Sequence, residues 1–148
     1  MKSLSLSLPT ANIVTICRSN YDIASTSGFT INSTLFGANI NVKPSVARTV
    51  AEAVALSPVP FNFILVCSKA LTTVPSTAEI IKPAVSKDTT IVLIQNGIGI
   101  EESFKEMFPD NCLLSTVVYL PATQTEPGII SRKFISLFGA QILLVSSS

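Results

Sequence analysis

A chain of 148 residues has room for one domain and a sizeable core. Ten basic against nine acidic side chains leave a net charge of +1, which excludes a strongly basic nucleic-acid footprint and a polybasic membrane patch. Only 13% of residues are charged and the mean hydropathy is +0.54, so either most strands are buried on both faces or some apolar surface expects a partner. There is no histidine, which removes the commonest general base and the commonest metal ligand together. Cys17, Cys67 and Cys112 each sit in or beside an apolar run and read as small buried hydrophobes of a reducing compartment. The opening MKSLSLSLPTANIVTIC is interrupted by serines and Pro9 and makes a poor signal peptide. The tail FISLFGAQILLVSSS is apolar for about a dozen residues, too short to span a bilayer.

In chain order, residues 12–17 (NIVTIC) predict a short buried strand, followed by a polar, turn-like stretch over 19–28. Phe29, Ile31 and Leu35 alternate with polar neighbours. Ala38, Ile40 and Val42 alternate again after Gly37, so an antiparallel pair is expected. Thr49-Val-Ala-Glu52 is a capping box that opens a helix over 50–56, stopped by Pro58 and Pro60. Residues 61–67 (FNFILVC) are almost continuously apolar, as a central parallel strand should be. Ser76-Thr-Ala-Glu79 is a second capping box, and Pro83 limits or kinks its helix. Strands are expected over 89–95 and 112–119, with a short helix over 101–108 between them. Strands alternating with short helices indicate an α/β domain with a mostly parallel sheet, whose ligands bind beyond the carboxyl ends of the strands.

Those ends nominate few residues. Arg18, in VTICRSN, has the fork geometry to hold a ribose 2′-phosphate, or is an ordinary surface arginine after a strand. Lys69, after FILVCS, can aim an ammonium at a phosphate or keto oxygen, or snorkel at the sheet rim. Asn96 can orient a carbonyl or amide without titrating, or serve only as a turn residue before glycine. The segment TTIVLIQNGIGIEE imitates a dinucleotide-binding glycine loop. Gly97 and Gly99 supply the first two positions of G-x-G-x-x-G, but Glu102 stands at the third. A carboxylate there suits a helix N-terminus and repels a pyrophosphate. No nucleophile–base pair, metal spacing or P-loop is present in the sequence, so no catalytic and no metal-binding residue is assigned.

VTICRSN, FILVCSKA, IVLIQNGIGIEE and VVYLPATQTEPG, in this order, resemble the ketopantoate reductase (2-dehydropantoate 2-reductase) family over about residues 11–131. The resemblance implies a cytoplasmic enzyme that reduces 2-dehydropantoate to pantoate with NADPH, toward pantothenate and coenzyme A, on a Rossmann domain followed by a helical domain. It makes Arg18 the selector of the 2′-phosphate and Lys69 the lysine facing cofactor and substrate. Asn96 becomes the cleft asparagine. Ala122 lies where backbone meets the nicotinamide half. The partner implied is a small molecule, with neither nucleic acid nor membrane.

The family's glycine fingerprint is expected upstream of Asn12, where MKSLSLSLPTA holds no glycine. The expectation is therefore a Rossmann-like, mostly parallel sheet with short helices that lacks the first βα unit. The partial NADP-binding domain covers 11–131, the ends 1–10 and 132–148 are atypical, and the helical substrate domain is absent. Self-association through an exposed apolar edge follows. Two other functions remain open: a non-catalytic remnant that binds nucleotide weakly or only self-associates, and a fragment of a related β-hydroxyacid or glycerol-phosphate dehydrogenase.

Overall fold

The computed structural model describes residues 12–70, 74–117 and 122–132. In chain order the elements are β1 (Val14–Ile16), α1 (Tyr21–Thr26), β2 (Phe29–Ser33), β3 (Gly37–Val42), β4 (Ser45–Ala47) and α2 (Val50–Leu56). Then come β5 (Phe63–Val66), α3 (Thr77–Ile81), a 3₁₀ turn (Lys82–Ala84), β6 (Thr90–Ile94), α4 (Glu102–Met107), β7 (Leu113–Thr116), β8 (Ala122–Glu126) and β9 (Ile129–Arg132). The described residues form two compact units, one from 12–56 with 122–132 and the other from 57–117.

In the first unit β1 pairs in parallel with β4, in the register Val14↔Ser45 to Ile16↔Ala47. A second sheet has the order β3-β2-β9-β8. Its β2–β3 pair is antiparallel, with Phe29 opposite Val42 and Ile31 opposite Ile40, as the two alternating runs predict. Cys17, Ala24 and Phe29 form its buried cluster, flanked by Tyr21, Val46 and Ile130. The stretch expected to be turn-like is α1. The Ser25 and Thr26 hydroxyls fold back onto the Asp22 carbonyl at 3.0 and 2.8 Å, and only Ala24 is buried. Such a helix shows no apolar stripe, so its composition reads as a turn. β4, β8 and β9 were not foreseen either: β4 has three residues and every residue of β8 is exposed, so neither carries a hydrophobic period.

The second unit is a parallel sheet of order β5-β6-β7. The register sets Ile64 beside Ile91, Val66 beside Leu93, and Ile91 beside Leu113. The two-residue strand period sends these side chains to one face. There they join Ala78 and Ile81 of α3 with Phe104 and Phe108 at α4 in one buried cluster. Each fully buried aliphatic side chain contributes about 1.5–3 kcal/mol through area removed from water. The Ser76 capping box forms in full: the Glu79 amide donates to Ser76 Oγ at 3.2 Å, and Glu79 Oε2 accepts from the Ser76 amide at 2.6 Å. Pro83 sits in the 3₁₀ turn that ends this helix.

Three expectations need correction. β5 is an outer strand of this sheet among the described residues, with Phe63 64% and Leu65 47% exposed on the face away from the helices. The Thr49 box is displaced by one residue. Glu52 NH donates to Thr49 Oγ1 at 3.1 Å, but its carboxylate accepts from the amide of Arg48 at 2.7 Å. Of the cysteines only Cys17 is buried; Cys67 and Cys112 are exposed, because they flank strand ends at the sheet rim. Tyr119, expected to end the last strand, lies outside the described residues, as does the stretch before Asn12.

Candidate functional site

In the first unit the Cys17 amide donates to the Ala47 carbonyl at 2.9 Å, extending the β1–β4 ladder by one residue. Burial pushes the Cys17 thiol up from its ordinary value. Arg18 then turns outward and is exposed, and its carbonyl accepts from the Tyr21 amide at 3.3 Å as α1 begins. Among the described residues its guanidinium forms no ion pair. The neighbouring cation is differently engaged. Arg48, just past β4, reaches Asp22 Oδ1 at 2.9 Å and lies 3.9 Å over the Tyr21 ring.

The loop after β1 is tied to β8. Asn20 Nδ2 donates to Gln124 Oε1 at 2.7 Å, and Gln124 Nε2 returns a bond to Asn20 Oδ1 at 3.3 Å. This reciprocal amide pair links the segment carrying Arg18 to the strand that Ala122 opens, so two sequence-predicted residues lie on segments joined within one unit.

Lys69 and Asn96 share the second unit. Both are exposed, Lys69 three residues beyond β5 and Asn96 two beyond β6, at the carboxyl ends of adjacent parallel strands. Between them lies a residue whose role the sequence analysis missed. Gln95 is only 8% exposed, and its Nε2 donates to the Ser68 carbonyl at 2.6 Å and lies 3.5 Å from Ser68 Oγ. The signal was available: Ile91, Leu93 and Gln95 share the two-residue strand phase, which places an amide on the buried face. A buried amide needs a partner.

After Asn96 the chain turns through Gly97 at φ +149° and Gly99 at φ +74°, both in the region that favours glycine. A Cβ on Gly97 would meet Ile100 Cγ2 at 2.6 Å, and one on Gly99 would lie 3.3 Å from the Glu102 carboxylate. The loop therefore folds back on its own helix start, with an acid where a pyrophosphate would need amide hydrogens. Among the described residues no helix is long and apolar enough to cross a membrane.

Parallel strands joined through short helices, with polar side chains gathered at their carboxyl ends, define a Rossmann-like α/β fold of the nucleotide-binding dehydrogenase kind. Residues 3–138 match the family described as ketopantoate reductase PanE/ApbA, and the chain belongs to that family. It is 35% identical over 105 residues to the meiotically up-regulated gene 72 protein of Schizosaccharomyces pombe, covering 70% of this chain and 18% of that protein. Among solved structures, 2-dehydropantoate 2-reductase from Methylococcus capsulatus is similar at 30% identity and a TM-score of 0.73, over 86% of this chain and 39% of that one. A D-mandelate dehydrogenase solved with NADH and anilino(oxo)acetate shares the fold at 20% identity and a TM-score of 0.68, over 92% of this chain and 40% of that one. The chain thus spans less than half of the solved relatives and about a fifth of the curated one.

Proposed function

We propose that the chain supplies part of the cofactor and substrate cleft of a cytoplasmic ketopantoate-reductase-type oxidoreductase, in which NADPH reduces 2-dehydropantoate to pantoate for pantothenate and coenzyme A synthesis. The observation that carries this reading is the placement of Lys69 and Asn96 at adjacent parallel strand ends, in a chain matched to the family over residues 3–138.

The residues fit NADP in part. Arg18 offers an exposed guanidinium beyond a parallel strand, suited to the 2′-phosphate in fork geometry. Ala122 opens the strand tied to that loop, where its backbone would meet the nicotinamide half. The Gly97–Gly99 turn does not fit a pyrophosphate, because the Glu102 carboxylate stands beside it. When bound, NADPH would supply a hydride to the keto carbon, and a proton from water or a group outside the described residues would complete the hydroxyl. Lys69 would steady the negative charge that develops on the keto oxygen. The Asn96 amide orients the substrate by donating to and accepting from it.

Residues 12–132 grafted into a complete ketopantoate reductase test this. Arg18→Ala is expected to weaken NADPH about 10- to 150-fold, the worth of a charge-assisted bond of roughly 1.5–3 kcal/mol, and to leave NADH nearly unchanged. Equal losses would mean that Arg18 only supports the strand end. A second reading, a non-catalytic remnant, is favoured by the sequence itself, whose six glycines form no G-x-G-x-x-G. On that reading the purified 148-residue chain shows no ketopantoate-dependent NADPH oxidation, and measurable turnover would exclude it.

A further inference from the structure

We propose that Gln95 is a positioning residue that holds Lys69 and Asn96 in a fixed relation, an inference that rests on the cleft roles proposed for those two side chains. The registered β5–β6 ladder reaches Val66↔Leu93. β5 ends at Val66 and β6 one residue further, at Ile94, and the two candidate residues lie beyond both ends, at 69 and 96. A side chain bridges this gap. Gln95 Nε2 donates to the Ser68 carbonyl at 2.6 Å, so one bond joins the residue immediately before Lys69 to the residue immediately before Asn96.

The bond is buried at its Gln95 end, 8% exposed, beneath a rim where Ser68, Lys69 and Asn96 are all exposed. Ile91 and Leu93, each 0% exposed, precede Gln95 on the same face, so its aliphatic stem continues the core while its amide faces the rim. An apolar residue would fill this volume equally well. What the amide adds is a side-chain donor beyond the last registered pair of the β5–β6 ladder. The β6–β7 side has a comparable strut, with Thr116 Oγ1 donating to the Leu93 carbonyl at 2.9 Å, but that strut acts within the ladder and not beyond it.

The experiment uses the 148-residue chain, with Gln95→Met to remove the donor at similar volume and Gln95→Glu to replace it with an acceptor. Hydrogen exchange read by mass spectrometry should speed up about 2- to 12-fold in peptides covering 67–70 and 95–99 of Gln95→Met, the loss of one net hydrogen bond. The peptide covering 113–116 should stay at its parental rate. NADPH affinity, measured by titration, should fall by a similar factor in Gln95→Met and further in Gln95→Glu, where carboxylate faces carbonyl. Unchanged exchange at 67–70 and 95–99, or equal acceleration at 113–116, would overturn the positioning role. So would parental NADPH affinity in Gln95→Met. If the parent chain alone binds no NADPH, the affinity comparison is made in the complete reductase carrying residues 12–132, where loss of the parental affinity advantage of Gln95 decides the same question as the exchange rates.

Discussion

The two units hold their candidate residues by different means. In the second, a parallel sheet buries Ile91, Leu93 and Leu113 against two short helices, and the side chains at its rim are underpinned by a buried amide. In the first, the described residues cluster as Cys17, Ala24 and Phe29, with Ile40, Ala47, Val50 and Ala53 buried besides, and the segment bearing Arg18 is tied down by an amide pair whose bonds are exposed. Exposed polar links contribute little to stability, whereas a buried donor is costly to lose. The Lys69–Asn96 rim should therefore be rigid in the free chain, and the Arg18 loop should order mainly when it meets a phosphate.

The largest effect expected from this contrast is in the second core. Leu93→Ala removes a fully buried side chain at the centre of the sheet and should cost about 2–5 kcal/mol, read by denaturant titration. A loss below about 1 kcal/mol would mean that the cluster is loosely packed. A smaller effect is expected at the loop. Gly97→Ala forces a Cβ into a positive-φ position and onto Ile100, which should cost about 1–3 kcal/mol and disturb Asn96 more than Lys69. Equal disturbance of both would break the distinction between loop and strut.

The smallest effect depends on pH. The Glu79 carboxyl is held below its ordinary value by the Ser76 amide, then by the Ser76 hydroxyl. A depressed carboxyl contributes stability that is present above its unfolded value and lost as pH falls through its folded value. Protection of the α3 amides should thus be full near neutrality and decline on acidification below the ordinary glutamate range. Glu79→Gln should remove that decline, and a decline of the same size in the variant would assign it to other carboxylates.

What the sequence revealed follows the same division. The second unit was legible because β6 and α3 carry strong local signals: a continuous apolar run and a capping box whose two reciprocal bonds both form. Its exception, the outer position of β5, was hidden because apolar residues on both faces also suit a central strand. The first unit was legible at β1, at α2 behind its Thr49 signal, and where Phe29, Ile31, Ile40 and Val42 alternate. α1 buries only Ala24, β8 is exposed throughout, and β9 is held by a parallel ladder to the distant β2, so local patterning had little to show. At the candidate site, Lys69 and Asn96 could be named from strand ends. Their connection through Gln95 and Ser68 is a contact between residues 27 apart and needed the fold.

The central claim, that this chain reads a ribose 2′-phosphate through Arg18, is tested most directly by comparing adenosine 2′,5′-bisphosphate with 5′-AMP as ligands of the 148-residue chain in a calorimetric titration. Neither probe has a pyrophosphate, so neither needs a glycine loop. The account predicts binding of the bisphosphate tighter by about tenfold or more, consistent with one charge-assisted contact, and loss of that advantage in Arg18→Ala. Equal affinity for the two nucleotides, or an advantage that survives Arg18→Ala, would contradict it.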